Sequence, residues 1–118
     1  LAFEQLEAAR YLPYLKKGGV VVTNTQKIDP MPVITGAAAY PAALLEKIEA
    51  AGVRLTAVDA LRLAEEAGSQ KAVNVVLIGA MASSLDIPEE SWLSAIEKTV
   101  PAKFLDMNKR AFALGYRA

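Results

Sequence analysis

Gly18-Gly19-Val20-Val21-Val22-Thr23-Asn24-Thr25-Gln26 is the stretch that decides how this chain folds. Two glycines make a turn, an unbroken apolar run follows, and a cluster of hydrogen-bonding side chains closes it. A strand with no polar alternation is covered on both faces, as strands of parallel sheets are. The polar cluster then falls at the carboxyl end of the strand, where open α/β sheets keep their contacts with ligands and partners. Asn24, Thr25 and Gln26 are therefore candidate residues for contact with a ligand or another subunit. Their other reading is turn chemistry, because Asn and Thr side chains bond readily to local backbone. If the contact reading holds, replacing Asn24 and Gln26 with alanine weakens activity or association more than stability.

The flanks support an α/β reading. Glu4 to Leu15 has partial helical spacing in Phe3, Leu6, Tyr11, Tyr14 and Leu15, with Glu4, Glu7 and Arg10 on another face. Pro13 stops that helix or starts its last turn, and Gly18-Gly19 supplies a left-handed cap. Gln26–Ala39 is a loop that Pro30 and Pro32 keep out of a regular ladder, with Val33–Ile34 as a possible short strand. Asp29-Pro30-Met31-Pro32 is a stiff arm, either a docking element or a plain surface loop. Tyr40-Pro41 starts a helix striped by Ala43, Leu44, Ile48 and Ala51 and ended by Gly52.

Val53–Val58 is a second strand, and Asp59 caps a helix over Ala60–Ala67 that stops at Gly68. Strand, helix, strand, helix is the βαβ pattern of a parallel sheet. Gln70–Leu85 is read as a nearly all-apolar buried helix despite the strand-favouring Val75-Val76-Leu77-Ile78. Gly79 and Ser83, four apart, allow another element to approach closely. Ile87-Pro88-Glu89-Glu90 opens a further helix, and Trp92, Ala95, Ile96 and Thr99 line one side of it. Pro101 breaks the chain before a last helix over Ala102–Leu114, with Gly115 beyond it.

The expected fold is thus α/β: a Rossmann-like three-layer domain with a mostly parallel sheet and a helix-rich C-terminal half. Two strands alone bury their faces poorly. The chain opens on Leu1-Ala2-Phe3, which reads as the tail of a strand, and not on methionine. The domain is expected to be incomplete at its N-terminus.

Composition excludes much chemistry. Lys+Arg and Asp+Glu both number 13, which argues against non-specific binding to nucleic acid or to a membrane surface. Cysteine and histidine are absent. No thiolate can hold an iron–sulfur cluster or zinc, and no cysteine nucleophile or Ser-His-Asp triad is possible within this chain. Neither a dinucleotide fingerprint nor a P-loop is present. Glu65-Glu66 and Glu89-Glu90 are neighbours that diverge on a helix and read as solvated surface. Asn74, Asn108 and Trp92 read as capping, core or interface residues. No nucleophile–base pair emerges, so no catalytic, cofactor-binding or metal residue is assigned. No basic stretch leads into an apolar core, and the longest apolar run, Val75–Ala82, is short for a spanning helix. A soluble cytoplasmic protein is expected.

Several segments together carry a resemblance. They are Leu1-Ala2-Phe3-Glu4 with Leu6-Glu7-Ala8, Tyr14-Leu15-Lys16, and Gly18-Gly19-Val20-Val21-Val22. Ala72-Val73-Asn74 before Leu77-Ile78-Gly79-Ala80, and Asn108-Lys109-Arg110-Ala111-Phe112 with Gly115-Tyr116, continue it. In this order and spacing the chain resembles the gamma-type domain of 2-oxoacid:ferredoxin oxidoreductases, with residues 1–118 as the C-terminal part of one such domain. Asn24-Thr25-Gln26, Ile28, Pro30-Met31-Pro32-Val33 and Tyr40-Pro41 look most like the beta subunit of the indolepyruvate-type members. The resemblance implies a subunit of an enzyme that oxidatively decarboxylates aryl pyruvates with coenzyme A and ferredoxin. It places thiamine diphosphate and iron–sulfur clusters on a larger catalytic partner subunit. The alternatives are the gamma subunit of a pyruvate or other 2-oxoacid enzyme, and a non-catalytic Rossmann-like interaction domain.

Overall fold

The computed structural model describes all of Leu1–Ala118. Its sheet has two named strands, β1 (Val20–Asn24) and β2 (Arg54–Val58), paired in parallel with Val20 opposite Arg54 and Asn24 opposite Val58. Ala2 adds a single parallel bridge to Thr23 on the other side of β1, with its N–H donating to Val22 O at 2.9 Å and its carbonyl accepting from Asn24 N at 3.2 Å. β1 is therefore the centre of the sheet, which is why its run of valines carries no polar interruption.

Side chains alternate across a strand, and β1 divides the core accordingly. Val21 packs with Ala8 of α1 (Gln5–Tyr11) and Ile48 of α3 (Leu44–Ala50). Val22 packs on the opposite face with the cluster that includes Leu63 and Ala64 of α4 (Ala60–Ala67), Val76 and Leu77 of α5 (Val73–Ala82) and Ala111 of α7 (Ala102–Tyr116). The result is helix, sheet, helix. α5 lies between the sheet and its neighbours α4 and α7, which explains a helix that is apolar all round. No helix is long and apolar enough to cross a membrane.

The α5–α7 crossing rests on glycine. A Cβ on Gly79 would overlap the Phe112 carbonyl oxygen and lie 2.9 Å from Tyr116 N. A Cβ on Gly115 would overlap the Val76 carbonyl oxygen and lie 2.7 Å from its carbon. The close approach expected at Gly79 and Ser83 is thus made at Gly79 alone, against the α7 backbone, with Gly115 as its counterpart. Ser83 instead ends α5, its hydroxyl donating to Ala80 O at 2.8 Å. α7 also runs through Gly115 and does not stop before it. α6 (Glu89–Thr99) buries no residue fully. It is clipped to α7 by Trp92 on Phe112, ring centroids 6.3 Å apart, and by Lys109–Glu97 and Arg117–Glu89 ion pairs.

Two local expectations change in the loop. Val33–Ile34 is not a strand; Met31–Ile34 is a single helical turn, α2, with Pro32 in its first turn. Tyr40-Pro41 does not start α3, which begins at Leu44 after Ala43 in the left-handed region, φ 54°. Tyr40 is held to α1 by its hydroxyl, so the chain must still turn before a helix can start.

Candidate functional site

All four buried polar or charged side chains of this protein gather at the carboxyl end of β1: Glu4 at 6% exposure, Gln5 at 5%, Thr23 at 0% and Asn24 at 1%. Burying polar groups is tolerated only where each finds a partner, and here their partners are largely one another's loops.

Asn24 shares the parity of Val22 and faces α4. Its Oδ1 accepts from Ala60 N at 3.3 Å, satisfying a free N–H at the start of α4, and from Gln26 N at 3.4 Å. Its Nδ2 donates to Gln26 Oε1 at 3.3 Å. Asn24 thus fixes the first turn after the strand and aims Gln26, whose own body is exposed. Thr25 is half-buried, its N–H donating to Val58 O at 2.9 Å and its carbonyl accepting from Gln5 Nε2. The structure therefore brings the three candidates together, but with Asn24 inside and Gln26 outside.

Glu4 completes the site. Its Oε2 accepts from Leu6 N at 2.9 Å and Glu7 N at 3.2 Å, capping α1. Its Oε1 accepts from Ile28 N at 3.4 Å and from the Tyr40 hydroxyl. Burial raises the Glu4 pKa, but the hydrogen bonds from Tyr40 and from the backbone of Leu6, Glu7 and Ile28 outweigh it and hold the carboxyl below its usual range. Burial, then the hydrogen bond and charge of Glu4, push Tyr40 up from 10.0 to about 12. Lys27 lies over the Tyr40 ring, 5.8 Å from its centroid.

These groups are committed to each other. The carboxylate oxygens of Glu4 already take four donors, so the arrangement is built to hold a loop in place and not to move protons. No three acidic side chains converge where they could hold a metal. With no cysteine in the chain, these residues do not fit an iron–sulfur cluster.

Helical spacing groups Glu4 with Glu7 and Arg10 on the face away from the apolar residues and puts Tyr40 at a helix start, so neither is marked as a site residue by sequence. The available signal was position: an acidic residue immediately before a first helical turn is a cap, and its burial follows from the loop laid over it. Asn108, expected as a buried amide, is half-exposed and donates to Phe104 O one turn earlier at 2.9 Å.

The pair predicts a pH profile. Glu4 has a folded pKa below its unfolded value, so its stabilisation is full above the carboxylate range and is lost as pH falls through that range. Tyr40 has the opposite sign: its contribution is complete below 10.0 and is lost as pH rises towards about 12. Thermal unfolding of Tyr40→Phe should lose stability less steeply over that alkaline window than the parent. Parallel alkaline curves would contradict the assignment.

Comparison with known proteins agrees with this fold. A family model described as pyruvate ferredoxin/flavodoxin oxidoreductase matches residues 1–118. Proteins named indolepyruvate oxidoreductase subunit IorB are similar along the whole chain: 46% identical over 123 residues in Thermococcus kodakarensis and 44% over 125 residues in Pyrococcus horikoshii. In both cases 100% of this chain aligns to 61% of the relative, so it spans about three-fifths of their length. A solved structure from Geobacter sulfurreducens, titled keto/oxoacid ferredoxin oxidoreductase gamma subunit, superposes with a TM-score of 0.69 at 23% identity. It covers 98% of this chain and 62% of that one, and shares the fold. A parallel sheet centred on β1, helices on both faces and a whole-length family match lead to one conclusion: the chain belongs to the pyruvate ferredoxin/flavodoxin oxidoreductase family.

Proposed function

We propose that this chain forms part of the subunit without cofactors in a cytoplasmic enzyme that oxidatively decarboxylates aryl pyruvates of the indolepyruvate type. In that reaction the 2-oxoacid loses its carboxylate as carbon dioxide, the acyl carbon bonds to the sulfur of coenzyme A, and the electrons pass to ferredoxin. Thiamine diphosphate and the iron–sulfur clusters belong to a larger catalytic partner. The observation that carries this reading is the whole-chain similarity, at 46% and 44% identity, to relatives named indolepyruvate oxidoreductase subunit IorB.

The loop after β1 supplies the contact in this proposal. Asn24 positions it, and Thr25 and Gln26 face a ligand or the partner subunit. Ile28, Met31 and Ile34 stand 55%, 67% and 66% exposed along the arm beyond. The test is ferredoxin or dye reduction by the intact complex purified from its host. Faster turnover with indolepyruvate than with pyruvate is expected. Faster turnover with pyruvate would transfer the assignment to a pyruvate-type enzyme, and migration of this protein without a larger partner would remove the subunit reading.

A further inference from the structure

The arm from Thr25 to Tyr40 is a closed loop whose two ends return to the first turn of α1. Gln5 Nε2 donates to Thr25 O at one end, and the Tyr40 hydroxyl donates to Glu4 at the other. Between them no residue is buried. The turn α2 is held by bonds within the arm itself, such as Ile34 N to Pro30 O at 3.1 Å and Ala38 N to Pro32 O at 3.0 Å. The arm is thus an internally bonded unit with polar fastenings and no hydrophobic root.

Glu4 divides its oxygens between two tasks. Oε2 takes only the α1 backbone, Leu6 N and Glu7 N. Oε1 takes only the arm, Ile28 N and the Tyr40 hydroxyl. No cation pairs with this carboxylate. Just past Tyr40, Ala43 is the only residue other than glycine with a positive φ, 54°, a conformation that costs energy for a side chain with a Cβ. The strain sits where the arm rejoins α3, as it would at a hinge under load.

We propose that Glu4 is a two-sided latch: one oxygen caps α1 and the other holds the Thr25–Tyr40 arm closed, so that losing the second contact frees the arm to swing as a unit while the domain stays folded. Glu4 is a positioning residue in this scheme and acts only through the arm. Its consequence for partner binding rests on the proposed function, because the arm carries the exposed Ile28, Met31 and Ile34.

Two variants separate the tasks. Glu4→Gln keeps one oxygen for the α1 backbone and turns an amide towards Ile28 N, where donor meets donor. Tyr40→Phe removes only the second contact and leaves the cap intact. The readout is trypsin cleavage after Lys27, in the exposed part of the arm, compared with cleavage after Arg62 in α4, both in the full-length protein. Cleavage after Lys27 is expected to accelerate roughly tenfold in Glu4→Gln and less in Tyr40→Phe, with Arg62 unchanged. Unchanged cleavage after Lys27 in both variants, or equal acceleration at Lys27 and Arg62, would overturn the latch. Should Glu4→Gln not fold, Tyr40→Phe carries the test alone. Co-purification with the larger subunit is then measured on the same variants. A freed arm with weakened association supports the latch and the contact role together. A freed arm with unchanged association supports the latch and removes the arm from the proposed interface.

Discussion

Gly115→Ala is expected to cost about 3 kcal/mol and to lower the melting temperature of the full-length protein by roughly 10 °C. The added methyl group would overlap the Val76 carbonyl oxygen, and Val76 is itself fully buried. A flexible side chain could move aside. A backbone carbonyl inside α5 cannot do so without shifting the helix, and α5 also touches the sheet and α4. Gly79→Ala meets the Phe112 carbonyl oxygen from the other helix and should behave alike. The two substitutions should be strongly non-additive, because either one already separates the helices. Gly36→Ala is the control. That glycine has a positive φ of 78° but nothing within 4 Å of its absent Cβ, so its cost is conformational only. Thermal melts that rank Gly36→Ala at or above Gly115→Ala would contradict the crossing.

Asn24→Ala should be the second large effect, and it should be an effect on stability. The side chain is 1% exposed, and its loss leaves the Ala60 and Gln26 N–H groups without their acceptor. Stranding buried donors costs about 2 kcal/mol in total, with the start of α4 loosened as well. Gln26→Ala should cost less, about 1 kcal/mol, because it strands only the Asn24 Nδ2 and leaves both backbone N–H groups with their acceptor. The expectation that both residues affect association more than stability therefore separates into two. Asn24 acts through the fold, and Gln26 is left as the outward residue. Equal melting temperatures for the two variants would show that the Asn24 bonds carry no weight.

Much of the fold is legible in the sequence. β1 can be read because a strand covered on both faces must be apolar throughout, and Val20-Val21-Val22 is too short between Gly18-Gly19 and the polar Asn24-Thr25-Gln26 to be a buried helix. α5 is resolved against its own β-propensity by length, since a buried helix can be apolar on every side. The Asn24-Thr25-Gln26 cluster is legible as a place, because the carboxyl end of a central parallel strand is where backbone leaves the sheet.

What stays hidden depends on contacts distant in sequence. Glu4 reaches Ile28 and Tyr40 across 24 and 36 residues, so no local periodicity distinguishes it from Glu7, which is exposed. The Gly79–Gly115 approach joins two helices: the spacing points to Gly79 together with Ser83, and nothing local names Gly115 as the counterpart. Ala43 takes the left-handed region between the Tyr40 tether and the start of α3, a conformation no local preference of alanine announces. Each miss is a case of tertiary structure overriding a local preference.

Whether the loop after β1 faces the proposed catalytic partner is decided by photo-crosslinking in the complex purified from its host. A reactive side chain is placed at Gln26 or Met31, with a control at Glu65 on α4. On this proposal, crosslinks are expected from Gln26 and Met31 to a larger subunit, and none from Glu65. Crosslinks from Glu65 alone would contradict the proposed interface.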